Sequence, residues 1–271
     1  MKLDQFLHEH PVFTYQNFKK WKSKQGKAND FSLHTMLHYH VKKGKLLLLR
    51  RGLYAVVPPG STPENLKVDS YLIAAKASTD SVLGYHTALE LHGLAYSSFE
   101  QFTFLTQQKI KPFEIVNQWY QPIFFQSILI KNKNIFFGTE VINRQGLDIK
   151  ITNVSRTFVD VLDRIDLSGG LEEVSRSVEN IVILDIDMVI KYCLMLKNSR
   201  LAAKVGFFLE QRKGVFAVTD KQLQSLLAAK PKSPQYLSKN LLKDCQYIKK
   251  WNLMIPKQIL NKTWEEPNAK F

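Results

Sequence analysis

Apolar and polar positions along the chain change period several times, and each change predicts an element. Leu33, Met36, Leu37, His40 and Val41 recur at i, i+3, i+4, i+7 and i+8, which is one face of a helix. His34, Thr35, His38, Tyr39, Lys42 and Lys43 fall on the opposite face. Ser32 is the expected N-cap, since a hydroxyl there can accept from a free N–H of the first turn. Gly44 ends the helix after two lysines that suit its negative end. Lys45–Leu49 and Leu53–Val57 then read as two apolar strands joined at Arg50-Arg51-Gly52, and Pro58-Pro59 stops the second. Upstream, Leu3, Phe6, Leu7 and His10 predict a short first helix. Phe18 and Trp21 predict a second, opened by Thr14 and closed by Gly26.

Three helices followed by a basic hairpin, all within residues 1–58, predict a winged helix-turn-helix. Residues 59–65, rich in proline and glycine, read as a linker to a larger domain over 66–271. That domain divides into 66–151, with helices and a sheet, and 152–271, mainly helical with a basic tail. A helix is expected near Glu64–Ala77 and another near Tyr85–His92. Phe102–Leu105, Ile123–Phe125, Ser127–Ile130, Ile135–Phe137 and Leu147–Ile151 are short, aromatic or β-branched, and predict a mainly antiparallel sheet. Two helices flank a break at Ser168-Gly169-Gly170, a third helical region covers 188–212, and a last strand is expected at Trp251–Ile255. The fold class is α+β.

Charge adds a direction to this picture. The net charge is +14, but residues 1–58 hold eleven Lys/Arg against three Asp/Glu and residues 230–271 hold nine against three. The middle of the chain is balanced, so the basicity concerns a partner at the two ends rather than the fold. Lysines supply attraction to phosphates, and short or planar side chains reach base edges. The candidate DNA-binding residues are therefore Ser32, His34, Thr35, His38, Tyr39, Lys42, Lys43 and Lys45, with Arg50 and Arg51 at the hairpin tip. A hydrophobic content of 45% argues against disorder. The start MKLDQFLHEH has no signal-peptide pattern and no apolar run reaches membrane-spanning length, so no membrane partner and a cytoplasmic location are expected. Two cysteines suit a reducing compartment.

In order, the chain carries the KKGKLLLLRRGLYAVVP hairpin, YHTALELHGL, SRTFVDVLDRIDLSGGLEEV, VGFFLE and WNLMIP. With these blocks it resembles the AbiEi antitoxins of abortive-infection, type IV toxin–antitoxin systems. The resemblance implies a DNA-binding winged helix that represses its own operon at inverted repeats, as a monomer in solution or a dimer on DNA. It also implies a C-terminal domain that neutralises a nucleotidyltransferase toxin, directly or through its effects. The chain departs from the commonest wording at Gly84-Tyr85-His86. The resemblance singles out Arg156 and Asp160, whose i, i+4 spacing braces a helix or touches a partner.

Candidate chemistry is thinner. His34 and His38 have the spacing of a metal pair, but no third ligand with good geometry accompanies them. Ser168-Gly169-Gly170 followed by Asp185 and Asp187 superficially matches a nucleotidyltransferase signature. The helical reading of LEEVSRSVEN and the reading of Asp187 as an N-cap oppose it. His86 and His92 lie with Glu90 on or beside one helix, where a general base is conceivable and a satisfied core histidine more usual. Tyr247, Lys249, Lys250 and Trp251 interleave aromatic and basic groups, which suits stacking on single strands or an edge over the core. The expectation is a non-enzymatic antitoxin and autorepressor without cofactor or metal. The alternatives are a plain winged-helix regulator without a toxin, or a Mg²⁺-dependent nucleic-acid-modifying enzyme.

Overall fold

A computed structural model describes residues 3–26, 29–238 and 244–262. The expected basic tail lies in part, at 239–243 and 263–271, outside the described residues. The protein is α+β. The N-terminal elements are α1 (Leu3–Glu9), β1 (Val12–Thr14), α2 (Tyr15–Ser23), α3 (Asp30–Lys42), β2 (Leu46–Arg50) and β3 (Leu53–Val56). Next come α4 (Ser70–Lys76), β4 (Val82–Leu83), α5 (Tyr85–Leu91), β5 (Gln101–Thr106), β6 (Phe113–Ile115) and β7 (Gln118–Phe124). Then follow α6 (Ser127–Lys131), β8 (Thr139–Arg144), β9 (Leu147–Thr152), α7 (Val154–Asp163) and α8 (Leu171–Glu179). The chain continues with α9 (Ile186–Met195), α10 (Ser199–Gln211), α11 (Asp220–Ala228), β10 (Gln235–Tyr236), β11 (Cys245–Ile248), β12 (Leu253–Pro256) and α12 (Lys257–Leu260).

Contacts divide the chain into two compact units. The first is Met1–Leu83 with Glu100–Phe124 and Val141–Ile151. The second is Gly84–Phe99, Phe125–Glu140 and Thr152–Phe271. The proline-rich segment expected to link two domains lies inside the first unit, because the α4 that follows it packs on β1 and β5. Among the described residues no helix is long and apolar enough to cross a membrane.

In the first unit, α1, α2 and α3 enclose Phe6, Phe18, Leu33 and Leu37 with Phe13, Leu46 and Tyr54. Burying each leucine is worth roughly 1.5–3 kcal/mol. β1 adds to the hairpin, giving an antiparallel sheet of order β1-β3-β2 with Phe13 opposite Tyr54. Thr14 caps α2 as expected, through a reciprocal bond pair with Asn17. Ser32 does not cap α3. The helix starts earlier, and Asn29 Oδ1 accepts the N–H of Phe31 at 2.9 Å.

The unit also holds a six-stranded sheet of order β6-β7-β5-β4-β9-β8. It is mixed: β6 with β7 and β4 with β5 run antiparallel. The loop after β5 steps past one position, so β7 lies beside β5 and runs parallel to it, and β4 and β9 are parallel too. The helix expected over Glu64–Ala77 is limited to α4, because Asp69 caps it by accepting from Tyr71 and Leu72 N–H. Ser127–Ile130 is helical rather than a strand, and Ile135–Phe137 is a turn whose carbonyls are used by a side chain described below.

The second unit is mainly helical, around Phe158, Val161, Val174, Val189, Val205 and Leu209. The helical region expected over 188–212 consists of two helices, α9 and α10, broken where Lys197 takes φ 52° and Asn198 caps the second. Asp185, not Asp187, caps α9 by accepting from Met188 N–H at 2.9 Å. The small sheet β10-β12-β11 places the last strand at Leu253–Pro256.

Candidate nucleic-acid interface

Burying Leu33 and Leu37 orients α3, and that turns its other side outward. Ser32, His34, Thr35, His38, Tyr39, Lys42 and Lys43 are all exposed, and Lys45 is exposed just beyond the helix. Two contacts fix the leading end. The His34 ring stacks on Tyr15 at 4.3 Å and 3°, and the Thr35 hydroxyl donates to the Phe31 carbonyl at 3.0 Å. Farther along, Lys43 Nζ lies 5.9 Å from the centre of the Tyr39 ring. The one carboxylate on the helix, Asp30, receives Lys19 Nζ at 2.8 Å and the Tyr15 hydroxyl at 2.6 Å. These two partners, Lys19 first, hold its carboxyl below the usual range. The outer side of α3 therefore carries imidazole, hydroxyl and phenol groups with lysines at its trailing end. A shallow concavity lined by His34, Thr35, His38, Val41, Leu48 and Tyr54 joins it to the hairpin.

The hairpin arginines differ. Arg51 is exposed. Arg50 is half-buried, its guanidinium 4.2 Å from the centre of the Phe113 ring, and burial lowers its pKa. Arg50 ties the hairpin to β6, which leaves Arg51 as the open cation at the tip. One exposed apolar residue at the start of α3 was not among the sequence candidates: Phe31, 79% exposed. Its signal was legible, since a phenylalanine there falls off the Leu33–Leu37 stripe.

The second unit buries several charged and polar groups. Arg156 and Asp160 are 1% and 2% exposed. Arg156 Nε donates to Asp160 Oδ2 at 3.2 Å, and Nη1 donates to the carbonyls of Ile135 and Phe137, both at 2.7 Å. The Tyr192 hydroxyl donates to the other Asp160 oxygen at 2.7 Å. These bonds join α7 to the 135–137 turn and to α9. Gly138 keeps close quarters there, because a Cβ on it would lie 2.9 Å from that of Arg156.

His86 is 2% exposed, with Nε2 3.1 Å from Glu173 and Nδ1 3.5 Å from Glu90, and its ring is stacked 3.9 Å from Phe99. Glu173 also accepts from the N–H groups of Tyr96 and Ser97. Burial pushes its pKa up, but bonds from Ser97, Ser177 and His86 outweigh it and leave the pKa lowered. The group acts as a lock on the 96–99 segment. The Asp185 carboxylate is engaged as a cap, and Asp187 accepts from Gln222 Nε2 at 2.8 Å. Among the described residues no group of three or more His, Cys, Asp and Glu is placed to hold a metal ion.

Trp251 is fully buried and lies against Gly206 of α10, where a Cβ would meet its ring at 2.2 Å, so it is no stacking platform for a strand. Its indole N–H donates to Glu210 at 2.6 Å. Lys204 is 4% exposed and donates to the Leu162 carbonyl at 2.9 Å. Burial, then Arg200, pushes its pKa down to about 8.

The fold class that these elements define, α+β with two three-stranded sheets and a larger mixed one, occurs in a solved structure. The chain is similar over 96% of its length, and 93% of the other chain, to the crystal structure of the RV2827C protein from Mycobacterium tuberculosis, with a TM-score of 0.60 and 11% identity. At that identity the likeness bears on the fold alone. No model of a known protein family matches the chain, and no curated protein matches it.

Proposed function

We propose that this protein is a DNA-binding regulator of the type IV antitoxin kind, whose N-terminal elements work as a winged helix-turn-helix on its own promoter. The observation that carries the reading is the outer side of α3. Thr35, His38, Tyr39, Lys42 and Lys43 project from a helix braced on a buried core, beside a hairpin that ends in an exposed Arg51. Such a surface offers lysines to phosphates and polar or planar groups to base edges. Two copies bind inverted repeats, one on each half-site. The antitoxin part of the reading rests on the resemblance of the YHTALELHGL and SRTFVDVLDRIDLSGGLEEV blocks. They form α5, α7 and α8 of the second unit, to which this reading gives the neutralising role.

Two measurements on the full chain test the reading. The first is binding to its own promoter duplex against an unrelated duplex of equal length, over a range of salt. Specific binding that weakens steeply with salt is the expected result, and equal affinity for both duplexes overturns the regulator. The second is growth on co-expression with a nucleotidyltransferase encoded beside it. Rescue is expected, and growth arrest that the full chain does not relieve leaves a regulator without a toxin.

A further inference from the structure

Phe31 is held in place, yet among the described residues its side chain is left largely open. Its backbone N–H donates to Asn29 Oδ1 at 2.9 Å and its carbonyl accepts from Thr35 Oγ1 at 3.0 Å, so the residue is anchored on both sides while its ring stays 79% exposed. It opens a stripe along α3. Phe31, Thr35, His38 and Lys42 follow at i, i+4, i+7 and i+11, all exposed. The neighbouring carboxylate of Asp30 is occupied by Lys19 and Tyr15. The leading end of the stripe is thus apolar and its trailing end cationic, with hydrogen-bonding groups between.

The major groove of duplex DNA has matching chemistry. Its rim is anionic and its floor carries donors and acceptors. The floor offers one apolar group, the C5 methyl of thymine. Given the DNA-binding reading, on which this inference rests, Lys42 and Lys43 suit the backbone and His38 and Thr35 suit the polar base edges. The phenyl ring has one counterpart left. We propose that Phe31 reads a thymine through its methyl group, and that the preferred DNA of this chain carries thymine opposite the first turn of α3.

The full chain can select its preferred duplex from a random-sequence pool. That duplex is then remade with deoxyuridine in place of each thymine in turn, a change that removes one methyl and keeps the pairing. Dissociation constants are compared for wild type, Phe31→Ala and Phe31→Leu. At one thymine of each half-site, uridine is expected to weaken wild type about fourfold, the worth of one methyl group taken out of water. Phe31→Ala should bind both duplexes alike, and Phe31→Leu should keep part of the preference. The ring is exposed, so both variants retain the wild-type circular dichroism. If wild type tolerates uridine at every position, or Phe31→Ala remains as sensitive as wild type, the inference is overturned. Specific binding in those same titrations would leave the regulator reading standing. If the full chain selects no sequence at all, both fall together.

Discussion

Two buried cations in the second unit respond to change in opposite ways. Lys204 titrates at about 8 in the folded protein, against an ordinary value of 10.5. Between those values the unfolded chain holds a proton that the folded chain has released, so stability rises with pH across that window. The slope from this one group approaches about 1.4 kcal/mol per pH unit. Urea unfolding of wild type and Lys204→Met at stepped pH isolates it: wild type should gain on the variant from pH 8 upward, and parallel curves would contradict the assignment. Arg156 is instead stabilised by its surroundings, with Asp160 and two carbonyls around it. Arg156→Met should cost about 3–5 kcal/mol, because it strands the Asp160 charge in the interior. The same urea titration measures it. At this scale the sequence was only partly readable. Arg156 and Asp160 could be picked out, but not the Ile135 and Phe137 carbonyls, which come from about twenty residues upstream. Asn29 displaced Ser32 as the cap because a cap depends on where the first turn begins, which periodicity locates only loosely.

Helices with a clear period, such as α3, α7 and α8, were legible because their apolar residues must share one face to reach a core. Short apolar runs were not. Ser127–Ile130 has the β-branched composition of a strand, yet one turn of helix buries Leu129 there. The mixed sheet was also hidden, since strand order depends on which strand a loop passes over and no local pattern records that. The outer side of α3 is an element-scale property, and so is its test. Replacing Lys42 and Lys43 together by alanine should lower affinity for every duplex and make the dependence of log K on log salt shallower by about 2. Fluorescence anisotropy over a salt series measures this, and an unchanged slope would move the phosphate contacts elsewhere.

For the whole molecule, the chain passes from one unit to the other at Leu83, Phe99, Phe124, Glu140 and Ile151. The proline-rich segment near residue 60 looked like a boundary because its composition is that of a linker. Composition is local, however, and membership of a unit is decided by what packs on what. A fragment of residues 61–271 lacks β1, on which α4 rests. Limited trypsin digestion should therefore cut that fragment within residues 61–83 and 100–124 under conditions that spare the intact chain. Equal resistance would show that the larger sheet holds without the N-terminal helices.

Interleaving of this kind has a consequence for turnover. Any break between Gly84 and Ile151 takes residues from both units at once. Neither unit is a cassette that a recombination event could lift out whole, and a nick within this stretch interrupts the chain of both. In a regulator of the proposed kind, the grip on the promoter and the restraint on the toxin would then share a single lifetime in the cell. Degradation would release both in one step, with no interval in which the operon stays silent while the toxin runs free.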